Sequence, residues 1–219
     1  MPAKNHGVLL MNKALDKNGK TEEQFLREYD VTKYFRPSVT VDSLIYSPAP
    51  HGGKILLIKR GGHPYIGHWA FPGGFVDANE PCAVAAKREL MEETGLTDIP
   101  CRQLVTVSTP DRDPRWRNIT VVYCARVDGE LNAVGGDDAS DAKWFGYEIG
   151  YEGNIATVTF DNGKEKFSSR LEVARDAFGR IDIDNTKIIE RGKMGFDHAK
   201  IVLYLYEATR DELTDGGAK

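Results

Sequence analysis

Three glutamates crowded on one helical stripe limit what this chain can fold into more than any other feature. The run Arg88-Glu89-Leu90-Met91-Glu92-Glu93 follows the alanine-rich Ala83-Val84-Ala85-Ala86 and is followed by Gly95, so strong helix formers predict a helix that a glycine stops. Asn79-Glu80-Pro81 supplies the start, a capping-type side chain and then a proline in the first turn. Glu89, Glu92 and Glu93 then stand at i, i+3 and i+4 on one face, with Ala83, Ala86, Leu90 and Met91 on a roughly opposite apolar side. Like charges this close raise one another's proton affinity and weaken an isolated helix, an arrangement that makes sense around a divalent cation. Carboxylate oxygens suit Mg²⁺ or Mn²⁺. A glutamate-rich helix is also how an ordinary solvated face reads. The preceding loop Phe71-Pro72-Gly73-Gly74-Phe75 favours the ion, because paired glycines let the backbone approach a cation or a phosphate closely.

A chain of 219 residues, 41% hydrophobic and 28% charged, holds one full core with room for a sizeable insertion. Its net charge of -4 gives no general basic character, so no nucleic-acid partner is expected. Cys82, Cys101 and Cys124 are odd in number and lack CxxC spacing, which predicts reduced thiols and a cytoplasmic location rather than disulfides or zinc. The early apolar run Gly7 to Met11 is shorter than a signal core or a membrane span.

Four segments are expected. Residues 1–35 carry a short helix opened by the capping-box spacing Thr21-Glu22-Glu23-Gln24. Residues 36–150 alternate strands (Val39 to Tyr46, Lys54 to Lys59, Trp69 to Phe71, Leu104 to Ser108, Asn118 to Arg126, Ala142 to Tyr147) with the glutamate helix. Residues 151–193 are rich in short β-prone runs, including the hairpin signal Asp161-Asn162-Gly163 and possible strands at Leu171 to Val173 and Arg180 to Asp184. Residues 194–219 hold a terminal helix that starts near Asp197 and packs on the main domain. Strands interspersed with a central and a terminal helix predict an α/β or α+β class, with helices on both faces of a mixed sheet.

Gly74 to Leu96 fits, at every fixed position, the pattern G-x5-E-x7-R-E-U-x-E-E-x-G-U, with U a bulky aliphatic. On this the sequence resembles the Nudix hydrolases. Arg36-Pro37-Ser38-Val39-Thr40-Val41-Asp42, Leu57 to Arg60, Gly67 to Phe75, Arg112-Asp113-Pro114-Arg115, Asp138-Ala139 with Trp144-Phe145, and Phe196-Asp197-His198-Ala199 look like the ADP-ribose pyrophosphatase branch. The likeness spans 36–147 and 195–210, leaving 151–193 as a β-rich insertion, expected to close over substrate or to build a subunit contact. It implies an α/β/α sandwich, a homodimer, and metal-dependent hydrolysis of a nucleoside diphosphate derivative, foremost ADP-ribose to AMP and ribose 5-phosphate.

The resemblance implies Glu89 and Glu93 as metal ligands, Glu92 as a third and the Gly74 carbonyl as a backbone ligand. Arg88 is expected to orient a glutamate by a charge-assisted hydrogen bond, and Glu80 either to support the metal site or to act as a partner of the helix dipole. The general base in this family tends to come from a mobile loop, where Asp137 and Asp138 are candidates and Asp141 a third; an ordinary solvated turn explains them equally. Arg60, Arg112 and Arg115 suit a diphosphate and terminal ribose. Trp69, Phe71 and Trp116 are candidates to stack on adenine, although strand positions favour the core for the first two. His198 reads as a helix-start residue. Two alternatives stay open: another nucleotide as substrate (a nucleotide sugar, NADH, a dinucleoside polyphosphate or an oxidised triphosphate), and a sensor that binds ADP-ribose without turnover. The branch also includes repressors with a degraded box and a C-terminal winged helix; the complete box favours an enzyme.

Overall fold

The computed structural model describes residues 14–49, 52–136 and 139–214. They fall into two units, 1–36 and 37–219. In the first, helix α1 (Glu22–Glu28) is capped by Thr21, whose hydroxyl accepts from the Gln24 N–H while the Gln24 side chain accepts from the Thr21 N–H. The capping box works as its spacing predicts.

In the second unit the described residues form ten strands and two helices. The strands are β1 (Ser38–Ala49), β2 (Gly52–Arg60), β3 (Trp69–Ala70), β4 (Gly73–Phe75), β5 (Arg102–Val107), β6 (Asn118–Arg126), β7 (Ala139–Glu152), β8 (Ile155–Asp161), β9 (Lys166–Glu172) and β10 (Lys187–Glu190). Their order is β10-β9-β8-β7-β2-β1-β6-β5, with β3 on β2 and β4 on β1. β1 runs parallel to β6, and the other pairs are antiparallel.

Helices α2 (Cys82–Thr94) and α3 (His198–Thr214) cover opposite faces. In β1 and β2, Leu44, Tyr46, Ile55 and Leu57 point into one core with Ile201, Val202 and Leu205 of α3. Their neighbours Ile45, Leu56 and Ile58 pack with Leu90 of α2, and Val41 with Ala85 and Ala86. Both faces being covered is why these strands read as continuous apolar runs rather than alternating ones. The result is the α/β/α sandwich of a mixed α/β fold.

Two expectations change. Residues 151–193 do not form a separate piece: β7 runs through the boundary at 150, and Val158, Phe160, Phe167 and Leu171 belong to the same core as Leu44 and Leu57. The stretch Arg180 to Asp184 is irregular apart from one bridge between Ile181 and Arg175, and the edge strand is β10. None of the helices among the described residues is long and apolar enough to cross a membrane.

Candidate active site

α2 ends where Gly95 takes φ 71° and its N–H bonds the Met91 carbonyl. Its buried residues are Ala85, Ala86, Leu90, Glu93 and Thr94. Ala83 and Met91, expected on the apolar side, are exposed. The helix is therefore rolled toward the sheet so that one edge of its carboxylate stripe faces the glycine loop.

β4 holds that loop against β1, with Gly73 opposite Asp42 and Gly74 opposite Val41. A Cβ at Gly73 would collide with the Val41 carbonyl and lie 2.9 Å from the Asp42 Cα. One at Gly74 would collide with the Glu89 carboxylate, 2.6 Å from its Cδ. At Gly73 only glycine permits this approach to the backbone, and at Gly74 a side chain would displace the Glu89 carboxylate. The Gly73 N–H donates to Glu93 Oε2 at 2.8 Å.

Arg88 spans the remaining carboxylates. Nη2 donates to Glu80 Oε1 (2.6 Å) and to the Phe75 carbonyl (3.1 Å), and Nη1 donates to Glu89 Oε1 (2.8 Å) and Glu92 Oε2 (3.1 Å). It thereby links the helix start, the glutamates and the glycine loop. Burial nonetheless pushes the Glu89 carboxyl above the usual range, against the pull of Arg88. It pushes Glu93 up to about 8, against the pull of the Gly73 N–H and of the Arg60 charge.

No group of three His, Cys, Asp or Glu among the described residues is assembled to hold an ion. The donor set still suits a hard cation: Glu93 is a buried carboxylate whose raised proton affinity shows its charge only partly compensated, and Glu89 lies against the space that a Gly74 side chain would fill.

Behind the glycines lies a polar cluster of His198, Asp42, Thr120, Arg112 and Asp197, in which Arg112, expected at the substrate, is turned to buried carboxylates. His198, first residue of α3, accepts the Phe71 N–H on Nδ1 (2.9 Å) and stacks on the Phe71 ring at 4.7 Å. With Nδ1 accepting, Nε2 carries the proton, and it faces Asp42 Oδ1 at 3.3 Å. Burial opposes ionisation of Asp42, but the His198 ring, Arg112 and the Thr120 hydroxyl (2.6 Å) hold its carboxyl below the usual range. Arg112 makes a two-pronged bond to Asp197 at 3.1 and 2.7 Å, with its side chain only 3% exposed.

The expected substrate residues divide accordingly. Arg60, Phe71 and Arg115 line a cleft with Gly73, Gly74 and Phe196. The Arg60 and Arg115 guanidiniums lie 4.9 and 5.8 Å from the Phe196 ring centre. Arg112 lies behind this cleft, Trp69 is core, and Trp116 is 62% exposed. Asp137 and Asp138 lie outside the described residues. The chain that leads to them is tied to α2, since the Gly136 N–H bonds the Glu93 carbonyl at 3.2 Å. Asp141 pairs with Lys143 on β7.

The start of the loop from Thr109 to Arg117 is anchored from the irregular stretch between β9 and β10. Asp184 accepts from the Ser108 N–H (2.9 Å), the Ser108 hydroxyl (2.8 Å) and the Thr109 hydroxyl (2.8 Å). Asp184→Ala should therefore lower stability by about 2 kcal/mol, read from the denaturant midpoint at unchanged m. A loss below about 0.5 kcal/mol would mean the loop is held by other contacts.

A NUDIX domain family model matches residues 36–161. The chain is 39% identical over 156 residues to the ADP-ribose pyrophosphatase of Methanocaldococcus jannaschii, covering 69% of this chain and 86% of that one. Among solved structures, a MutT/nudix family protein from Enterococcus faecalis superposes with a TM-score of 0.67 at 30% identity, over 88% of this chain and 70% of that one. The bifunctional NMN adenylyltransferase/ADP ribose pyrophosphatase of Francisella tularensis, complexed with AMP and manganese ion, gives 0.51 at 28% identity, over 80% of this chain and 43% of that one. The matched span includes the glycine loop, the carboxylate helix and the strands that hold them, and the chain belongs to the Nudix hydrolase family, close to its ADP-ribose pyrophosphatase and NrtR branch.

Proposed function

We propose that this nucleotide-derivative pyrophosphohydrolase cleaves ADP-ribose to AMP and ribose 5-phosphate, with Mg²⁺ or Mn²⁺ held by Glu89, Glu93, Glu92 and the Gly74 carbonyl. The observation that carries the reading is the meeting of Glu89 and Glu93 with Gly73 and Gly74 at a cleft whose other wall bears Arg60 and Arg115. The names of the relatives from Methanocaldococcus jannaschii and Francisella tularensis support this substrate, and the manganese ion of the latter supports the metal.

Phosphoryl chemistry asks mainly for positioning and charge balance. Bound, the cation supplies positive charge for the phosphate oxygens and acidifies the attacking water. Arg60 and Arg115 bind the diphosphate as planar donors, with Phe196 between them as a spacer. Arg88 holds Glu89 and Glu92 in fixed orientations, and Asp42, through His198, holds Phe71 and the loop it begins. Water attacks one phosphorus, the bridging P–O bond breaks, and the proton passes to a carboxylate of the 137–138 segment.

The test is phosphate release from a coupled phosphatase across a nucleotide panel with either metal. ADP-ribose turnover that EDTA abolishes and Mg²⁺ restores is expected. A different preferred nucleotide would replace the substrate, while tight ADP-ribose binding without release would make the protein a sensor. Mass measurement of the same sample checks the expected homodimer.

A further inference from the structure

Asn118 opens β6 and lines the cleft, 3% exposed. Its Nδ2 donates to Asp113 Oδ2 at 3.3 Å. Asp113 also accepts the Arg115 Nε and Nη2 at 3.0 and 2.8 Å. Burial opposes ionisation of Asp113, but Arg115 and Asn118 hold its carboxyl below the usual range. An ionised carboxylate only accepts hydrogen bonds, so it fixes which end of the amide faces it. The Asn118 Oδ1 is thereby turned away, buried and without a hydrogen-bond partner among the described residues.

A buried acceptor left open is unusual in a native protein and needs an explanation. Among the described residues no donor meets Oδ1: the Thr120 hydroxyl is given to Asp42, and the Arg115 Nε and Nη2 are turned to Asp113. A bound molecule with a donor at this point would satisfy Oδ1. The cleft beside Oδ1, about 40 Å³, is lined mainly by polar groups and admits a small polar group. Arg60 and Arg115 flank this cavity, so an anion bound between them would carry its nearest substituents to Asn118.

We infer that Asn118 Oδ1 accepts a hydrogen bond from a ribose hydroxyl next to the diphosphate and so selects sugar-bearing substrates over plain phosphates. The inference rests on the ADP-ribose reading above. It assigns a recognition role to a residue outside the carboxylate helix, with Asp113 as its positioning partner.

The experiment compares ADP-ribose with analogues lacking a single hydroxyl, on either the distal ribose or the adenosine ribose. Each is measured for turnover with Mg²⁺ and for binding by calorimetry, with wild type and Asn118→Ala. For wild type, one deoxy analogue should lose at least about tenfold in kcat/KM or affinity, because its absence leaves Oδ1 buried and unpaired. In Asn118→Ala the ratio between ADP-ribose and that analogue should fall to within about twofold. General damage to the fold would lower both substrates together and leave the ratio unchanged. Which analogue suffers identifies the ribose. Wild type indifferent to every hydroxyl overturns the inference, as does an unchanged ratio in the variant; in either case only a water would occupy the cavity. Should Asn118→Ala not fold, the wild-type panel decides alone. Failure of ADP-ribose itself to bind or turn over is a separate result that sinks the substrate reading and this inference with it.

Discussion

Glu93→Gln should lower kcat at least about a hundredfold while leaving the metal-free protein more stable at neutral and alkaline pH. The amide keeps an oxygen for the Gly73 N–H but brings no charge to a cation. The stability gain follows from linkage. In the folded, metal-free protein burial raises the Glu93 carboxyl from 4.5 to about 8. Between these values the native state holds a proton that the unfolded chain has released, so stability is greatest below about pH 4.5 and declines as pH rises toward 8. The full difference is on the order of 4 kcal/mol, and the Gln variant lacks this slope. Urea titrations in EDTA at pH 5 and pH 8 measure it. Parallel pH profiles for wild type and variant would show that Glu93 is not held as a buried acid, and a variant with wild-type kcat would remove it from the catalytic site.

Arg112→Met should destabilise by about 3–5 kcal/mol, because it leaves Asp197 buried and uncompensated and strips a cation from beside Asp42. For a chain of this size that lowers Tm by roughly 10 °C. Replacing both partners, Arg112→Met with Asp197→Leu, should cost less than the single change, since it leaves no orphaned charge at that pair. Calorimetric melts of the three proteins close the cycle. A single variant with unchanged Tm and a raised KM would return Arg112 to the substrate-binding role its place in the loop suggests.

The contrast between Arg112 and Glu93 explains what was legible in the chain. Local rules read α1 from its capping box, the end of α2 from Gly95, the bounds of β6 and the turn at Asn162-Gly163, because each is fixed by residues within a few positions. The carboxylate stripe was visible for the same reason. Arg112 and Asp197 are separated by 85 positions, and Asp42 and Thr120 by 78, so no local pattern announces those bonds. The roll of α2 that buries Glu93 and exposes Met91 depends on β4, a strand of three residues whose glycines read as a loop. Residues 151–193 looked foreign because their runs are short, yet they continue a sheet whose edge they share. Asn118 carried no signal beyond its place at the head of an apolar strand.

The position of α3 also constrains the order in which the molecule can be completed. Leu44, Tyr46, Ile55 and Leu57 emerge from the ribosome well before the residues that cover them, Ile201 to Leu205. On a ribosome adding about 5–20 residues per second, that apolar face stays uncovered for roughly ten seconds or more. During this interval the nascent sheet is a natural client for a chaperone, and a message truncated before residue 198 yields a chain prone to aggregate rather than a smaller enzyme.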